Sequence, residues 1–252
     1  MRKRNNNTRR TTTRQALTVK FICSTDTVPA YRPAPSSAFL PEWYKKMANN
    51  LGYKEYGDAG PFQSSVKQCM PFIDSLTAGY IIPLWCDIST SIIEEEFGFH
   101  WPDIIPWTMI EHQKGGEVIP KSPFPWKLIN PWTIVTPPGV SCLFTNPFNH
   151  DQGGGDPPKM KFWTGVVETD TYNNTVNFPF TWQGEQTDFM PAGTPLIQVI
   201  PFVRNHFNYE VLIEEGSDGT ISINRNIPDI TKTRSLFVNG YRENFWEKKN
   251  WV

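Results

Sequence analysis

Two carboxylates, Glu168 and Asp170, lie two residues apart in the stretch WTGVVETDTYNNTVNFPFTW, Trp163 to Trp182. In an extended strand that spacing puts both on one face, roughly 7 Å apart. Two like charges at that distance coexist in water. In a closed cavity they would raise one another's pKa or recruit a cation, which makes them candidates for acid–base work or for a divalent metal. On the outer face of a sheet they are only solvated charges. A third candidate is His150, in the glycine-rich stretch NPFNHDQGGGD with Asn146, Asn149 and Asp151. Loops of this kind at the end of a sheet often carry function. Glu168, Asp170 and His150 therefore form the candidate catalytic set. Asn146, Asn149, Asn177 and Trp182 are the candidate ligand contacts.

The elements that must position these groups read as strands. If Asn173 and Asn174 form a two-residue turn, the flanking segments pair as a hairpin, because Asn tolerates the positive φ such a turn needs. Thr171, Thr169, Val167 and Gly165 then face Val176, Phe178, Phe180 and Trp182 on an apolar side. Val166, Glu168 and Asp170 oppose Thr181, Pro179 and Asn177 on a polar side. The tryptophans Trp101, Trp107, Trp126, Trp132, Trp163 and Trp182 either pack into a core or line a groove for sugar or single-stranded nucleic acid.

Period-two patterning dominates from about residue 80 to 215. Strands are expected at YIIPLWCDI, TSIIEEEFGFHW, WTMIEHQ, WTIVTPPGVSCLFTNP, FWTGVVETD, TVNFPFTWQ, TPLIQVIPFVR and YEVLIEEG. Turn signals such as TPPG, DQGGGDPP, PAGT and GSDG separate them. Pro83 suggests an edge strand or a bulge. Helices are expected near 41–50, started by Pro41, and near 64–78, where Pro71 kinks or restarts the helix and Gly79 stops it. The C-terminal RSLFVNGYRENFWEKKNWV reads as a helical tail packing its aromatics on the body. The fold class that follows is mostly β, a jelly-roll-like sandwich or distorted barrel with short flanking helices. It makes one domain over residues 16–252, preceded by a basic disordered arm over 1–15.

Composition agrees with a globular domain: 252 residues, 38% hydrophobic and 14% aromatic, with 23 prolines. The first fourteen residues hold Arg2, Lys3, Arg4, Arg9, Arg10 and Arg14 and no acid, which leaves 18 basic against 25 acidic residues in the rest. Such an arm suits nucleic acid or another virion protein, and otherwise solubilises the chain. No apolar run reaches the roughly 18 residues of a membrane span. No secretory core is evident, so the protein is expected in the host cytoplasm or a virion. Cys23, Cys69, Cys86 and Cys142 lack CxxC spacing and read as reduced, mostly buried thiols rather than a zinc site. No G-x-S-x-G elbow, P-loop or GxGxxG is present. Only four histidines occur, with no HxD or HxE spacing for an iron triad.

Three resemblances bear on function. PPGVSCLFTN resembles the second cupin motif in its Pro-x-Gly and final Asn, but Cys142 stands where that motif has a metal-binding His, and the upstream HxH is missing. GVVETDTY resembles the GVID-x-x-Y segment of trimeric dUTPases, whose acid serves as base and whose Tyr stacks on deoxyribose; Tyr172 falls one residue too far along. The run from TNPFNH through TGVVETD, NFPFTWQ and PAGTPLIQVIPF, with QCMPFIDSLTAGYIIPL upstream, resembles an uncharacterised family of bacteria and marine phages, over about residues 60–205. That resemblance implies a compact β-rich domain and assigns no catalytic residue. The expected function is a phage-type non-enzymatic binding or virion-associated β module. A cupin-like small-molecule enzyme and a dUTPase-like nucleotide-binding protein are the alternatives.

Overall fold

The structure, a computed structural model, describes residues 17–23, 30–51, 63–103, 105, 107–114, 125–152, 157–204, 242, 246–249 and 251. The basic arm, the strand expected at YEVLIEEG and most of the C-terminal tail lie outside the described residues.

The strands are β1 Lys20–Cys23, β2 Ala34–Pro35, β3 Asn50–Leu51, β4 Gln63–Ser64, β5 Tyr80–Pro83, β6 Ile88–Ile93, β7 Glu96–His100 and β8 Ile110–His112. They continue with β9 Trp126–Leu128, β10 Trp132–Val135, β11 Val140–Thr145, β12 Met160–Phe162, β13 Gly165–Val167, β14 Phe178–Trp182, β15 Asp188–Met190 and β16 Pro195–Val203. A five-stranded sheet runs in the order β13-β11-β16-β5-β2, a four-stranded one β12-β14-β9-β8, and a three-stranded one β15-β6-β7. β1 pairs with β10 and β3 with β4, and all the pairings are antiparallel. The protein is mostly β and sandwich-like, and the described strands do not close into a barrel.

Alternation explains the core. Cys142 and Phe144 on β11, Val199 and Ile197 on β16, and Ile82 on β5 form one inward row. Phe178 and Phe180 on β14, Leu128 on β9 and Phe162 on β12 meet it from the four-stranded sheet, with Phe144 and Phe178 rings 5.6 Å apart. The opposite face of the five-stranded sheet carries buried Ile81 and Gln198 under a helical layer. Gln198 Nε2 donates to the Ser75 and Ala78 carbonyls at 2.9 and 2.8 Å.

That layer comprises α1, Glu42–Lys46, and α2, Met70–Thr77. Pro41 precedes α1, which ends at Met47, sooner than the pattern suggests. Pro71 restarts the helix: a 3-10 turn at Val66–Gln68 comes first, and α2 then carries the proline in its first turn, where no N–H is needed. Gly79 follows with φ +65, and a β-carbon there would lie 2.0 Å from the Val199 carbonyl oxygen. Only glycine lets α2 turn this tightly into β5. β2 pairs only with Tyr80 and Ile81, so Pro83 has no β2 partner on that side, and on the other side the register shifts opposite it, between Pro195 and Ile197, as a bulge. The aromatics at the C-terminal end do pack back on the body. Trp246 Nε1 donates to the Asp74 carboxylate at 3.0 and 3.1 Å, Lys249 pairs with Asp74, and Trp251 meets Tyr80 edge-on.

The expected hairpin does not form. β13 pairs with β11, and β14 lies between β12 and β9 in the other sheet. A turn at Glu168 ends β13, with Thr171 N and Tyr172 N both donating to the Glu168 carbonyl. Neither Asn173 nor Asn174 has positive φ. β13 ends at Val167, yet burial goes on alternating to Thr169, with Val167 half-buried and Glu168 exposed. Val166 is 54% exposed, and Thr169 is wholly buried on Thr136 and the Cys142 thiol.

Candidate functional site

Glu168 opens this turn and Asp170 sits inside it, so the two do not share a strand face. Glu168 is exposed, whereas the Asp170 side chain is only 5% exposed. Arg204, just beyond β16, holds Asp170 in a fork: Nη1 donates to Oδ1 at 2.8 Å and Nη2 to Oδ2. Gly139 N donates to the same Oδ2 at 2.7 Å, and Arg204 Nη1 also reaches Ser141 Oγ at 2.8 Å. The Arg204 guanidinium and the Gly139 N–H hold the Asp170 carboxyl below the usual carboxylate range, and Glu168 adds its attraction for Arg204. The acids do gather a cation, but it is the chain's own arginine. It ties the start of β11 to the exits of β13 and β16.

His150 lies at the other end of β11. Six residues, Val140–Thr145, separate the Asp170 lock from the His150 loop, a span of roughly 20 Å. The structure therefore does not bring the two acids to His150, as a cupin-like pocket would require. Cys142, at the position of the cupin His, is buried in the core, and burial pushes its thiol pKa up. Among the described residues no group of three or more His, Cys, Asp or Glu is placed to hold a metal ion.

His150 does meet Asn146 and Asn149, as the sequence spacing suggested, around a cavity of about 540 Å³. The loop is tied down on several sides. Asn146 clamps the Phe162 backbone, donating to its carbonyl at 2.8 Å and accepting its N–H at 3.0 Å. Asn149 takes φ +59, and its Nδ2 donates to Ser75 Oγ at 2.9 Å. Phe148 N donates to Gln198 Oε1 at 2.8 Å, and Trp43 Nε1 donates to the His150 carbonyl at 3.2 Å. Both asparagines thus hold the loop rather than face a ligand freely. Across the cavity stand Met160 and the β15–β16 connection, from Met190 to Leu196. Lys159 is occupied by Asp188 and by the Phe189 carbonyl at 3.0 Å. The His150 imidazole has no hydrogen-bond partner among the described residues, and burial pushes its pKa below the usual value while Asp151 pulls the other way. Near pH 7 it is neutral, with one ring nitrogen to donate and one to accept.

The last two candidates part company. Asn177 Oδ1 accepts Asn130 N at 3.1 Å, a bond that positions the β9–β10 connection. Trp182 instead lines a second concavity of about 730 Å³ with Phe97, His112 and Trp126, rimmed by Glu95, Glu96 and Gln186. Of the other tryptophans, Trp132 is buried, Trp101 and Trp107 pack against the core, and Trp163 is 39% exposed. Sequence reasoning passed over Arg204, Phe97, Phe99 and the glutamates at this rim. No protein-family model, curated protein or solved structure matches the chain. No helix among the described residues is long and apolar enough to cross a membrane.

Proposed function

We propose that the protein is a non-enzymatic binding module whose small-molecule site is the cavity beside His150. The observation that supports this reading is the cavity's make-up. Its volume of about 540 Å³ falls within the roughly 300–1,000 Å³ of ligand pockets. Its wall is largely apolar, from Phe148, Met160, Met190 and Leu196, and it carries one unengaged imidazole. A ligand with a flat apolar body and one polar or anionic head suits that wall, with the head on His150 or on Lys161 at the rim. Anilinonaphthalene sulfonate has this form and serves as the probe. The native protein should enhance its fluorescence with one-to-one stoichiometry, and Thr194→Trp, which fills the cavity from its wall, should abolish the signal. Equal enhancement by the variant, or none by the native protein, removes the proposal.

The phage setting and the partner of the basic arm belong to the same proposal and rest on the sequence. Arg2, Lys3, Arg4, Arg9, Arg10 and Arg14 would contact nucleic acid or another virion protein. Six phosphate contacts on duplex DNA would give a log–log salt slope of about −5. Filter binding with residues 1–14 deleted tests this; unchanged affinity or a flat salt response rules out the DNA arm.

A further inference from the structure

The groove around Trp182 is separate from the His150 cavity, and its chemistry points to a different ligand. It opens between the four-stranded sheet and the β6–β7 hairpin. Trp126 and Trp182 project from the inner face of the four-stranded sheet beside Phe180, while Phe97 and Phe99 come from β7. Phe99 is the deeper ring, with its centroid 5.8 Å from Phe180. Phe97 sits nearer the mouth, 6.1 Å from Trp126 and 6.3 Å from Trp182. These rings contact one another too closely to enclose a ligand between them, so they make a floor and not a cage.

The floor is fixed. Trp182 Nε1 donates to the Glu185 carbonyl at 2.9 Å, and Gly184 presses on the indole so closely that a β-carbon there would lie 2.5 Å from the ring. On the Trp126 face the His112 ring already stacks, with centroids 4.0 Å apart and planes 28° apart. That face is therefore already covered within the chain, and a visitor meets the groove from the Phe97 and Trp182 side.

Charge sets the identity of the visitor. Glu95 and Glu96 stand at the rim, exposed, and neither carboxylate has a hydrogen-bond or ion-pair partner among the described residues. No Lys or Arg lines the groove among those residues. The nearby Lys127 is engaged by Glu111. A phosphate-bearing strand would meet uncompensated like charge here, which disfavours single-stranded nucleic acid. We propose that the groove docks an arginine-bearing basic peptide segment of a partner protein. The aliphatic stem of the arginine lies along Phe97, its guanidinium stacks on an indole, and its N–H fork reaches Glu95 or Glu96. Lysine offers the charge without the planar stack or the fork, so arginine is preferred.

The test uses the full chain and fluorescein-labelled peptides of alternating Gly and Arg, Gly and Lys, or Gly and citrulline, read by anisotropy. The arginine peptide should bind, the lysine peptide several-fold more weakly, and the isosteric neutral citrulline peptide not at all. Glu95→Gln with Glu96→Gln should cut arginine-peptide affinity at least fivefold with an unchanged melting temperature, as should Trp182→Ala if it folds. Glu42→Gln, an exposed acid on α1, should change nothing. Equal binding of the Arg and Lys peptides with equal loss in Glu42→Gln would mean general charge attraction and overturn the proposal. So would tighter binding of a fifteen-residue oligothymidine or of cellohexaose, or no binding at all.

Discussion

Replacing Glu94 and Glu95 with Asn and Gly should make the protein more stable while weakening the proposed docking groove. Ile93 pairs with Glu96, so these two glutamates alone form the β6–β7 turn. Both have positive φ, 52° and 69°. A two-residue hairpin turn of this hand matches the twist of its strands, but it favours Asn-Gly. The left-handed conformation costs a residue with a β-carbon about 1–2 kcal/mol, so the pair stores roughly 2–4 kcal/mol. Asn recovers part of this through local hydrogen bonding, and Gly nearly all of its own share. The looser unfolded chain with Gly takes back roughly 0.5–1 kcal/mol. The net gain is about 1–2 kcal/mol, or about 3–6 °C for a domain of this size. Urea titration followed by tryptophan fluorescence measures it as a higher midpoint at unchanged slope. The pair Glu94→Gln and Glu95→Gln is the control, since it removes the charges and keeps the β-carbons. If that control gives the whole gain, charge repulsion and not backbone strain is the cause. If Asn-Gly gives no gain, the turn is not strained and the reasoning fails. Because Glu95 is lost, arginine-peptide affinity should fall as stability rises.

Asp170→Asn should lower the melting temperature at neutral pH, because the Arg204 fork loses its charged partner. A depressed carboxylate stabilises above its unfolded pKa of about 4 and loses that contribution as pH falls through its folded value, so the variant should lose less stability than the parent in acid. His150 has the opposite charge type: its folded pKa is lowered, so stability is full above about pH 6.5 and declines as pH falls toward the folded value. Urea midpoints at pH 7.5 and 5.0 should therefore converge in His150→Gln more than in the parent. Ellman's reagent should titrate exposed Cys69 in the native protein and spare Cys86, whose buried thiol is pushed up to about 12. Gly79→Ala should cost at least about 1–2 kcal/mol from its backbone conformation alone, and more from the clash with the Val199 carbonyl, seen as lost soluble yield or a lower urea midpoint.

Local punctuation was legible in the sequence; choice of partner was not. Pro71 and Gly79 act through their own backbones, so the restart of α2 and its stop could be read from single residues. The pattern FPFTW also gave the right faces for β14, since alternation is a property of one strand. The pairing of that strand was misread because the two asparagines supply a local turn that the fold does not use. β13 finds its partner in β11 instead, through the burial of Val167 beside Cys142. Arg204 was invisible for the same reason: an arginine ending VIPFVR reads as a solvated charge until Asp170, 34 residues away, is brought to it. The His150 loop stood out by its asparagines and glycines, yet much of its cavity wall comes from Met160 and the β15–β16 connection, whose apolar and proline residues carry no such signal. EFGFH announced a strand; that Phe97 and Phe99 meet Trp126 and Trp182 depends on how two sheets close.

The cavity and the groove share a brace. Lys159, in the cavity wall, pairs with Asp188, and Asp188 Oδ2 also accepts Glu185 N at 3.2 Å. The Glu185 carbonyl in turn holds the Trp182 indole. One carboxylate thus steadies a wall of the first concavity and, one residue further along the chain of bonds, the floor of the second. A braced indole loses little rotamer freedom when a ligand arrives, which favours binding without adding a contact. Lys159 holds the Asp188 carboxyl below its ordinary 3.8, so the brace stays ionised throughout the range above about pH 4. Any pH dependence of binding at the first concavity above that range then arises inside the site, from His150, and not from a loosening of this brace.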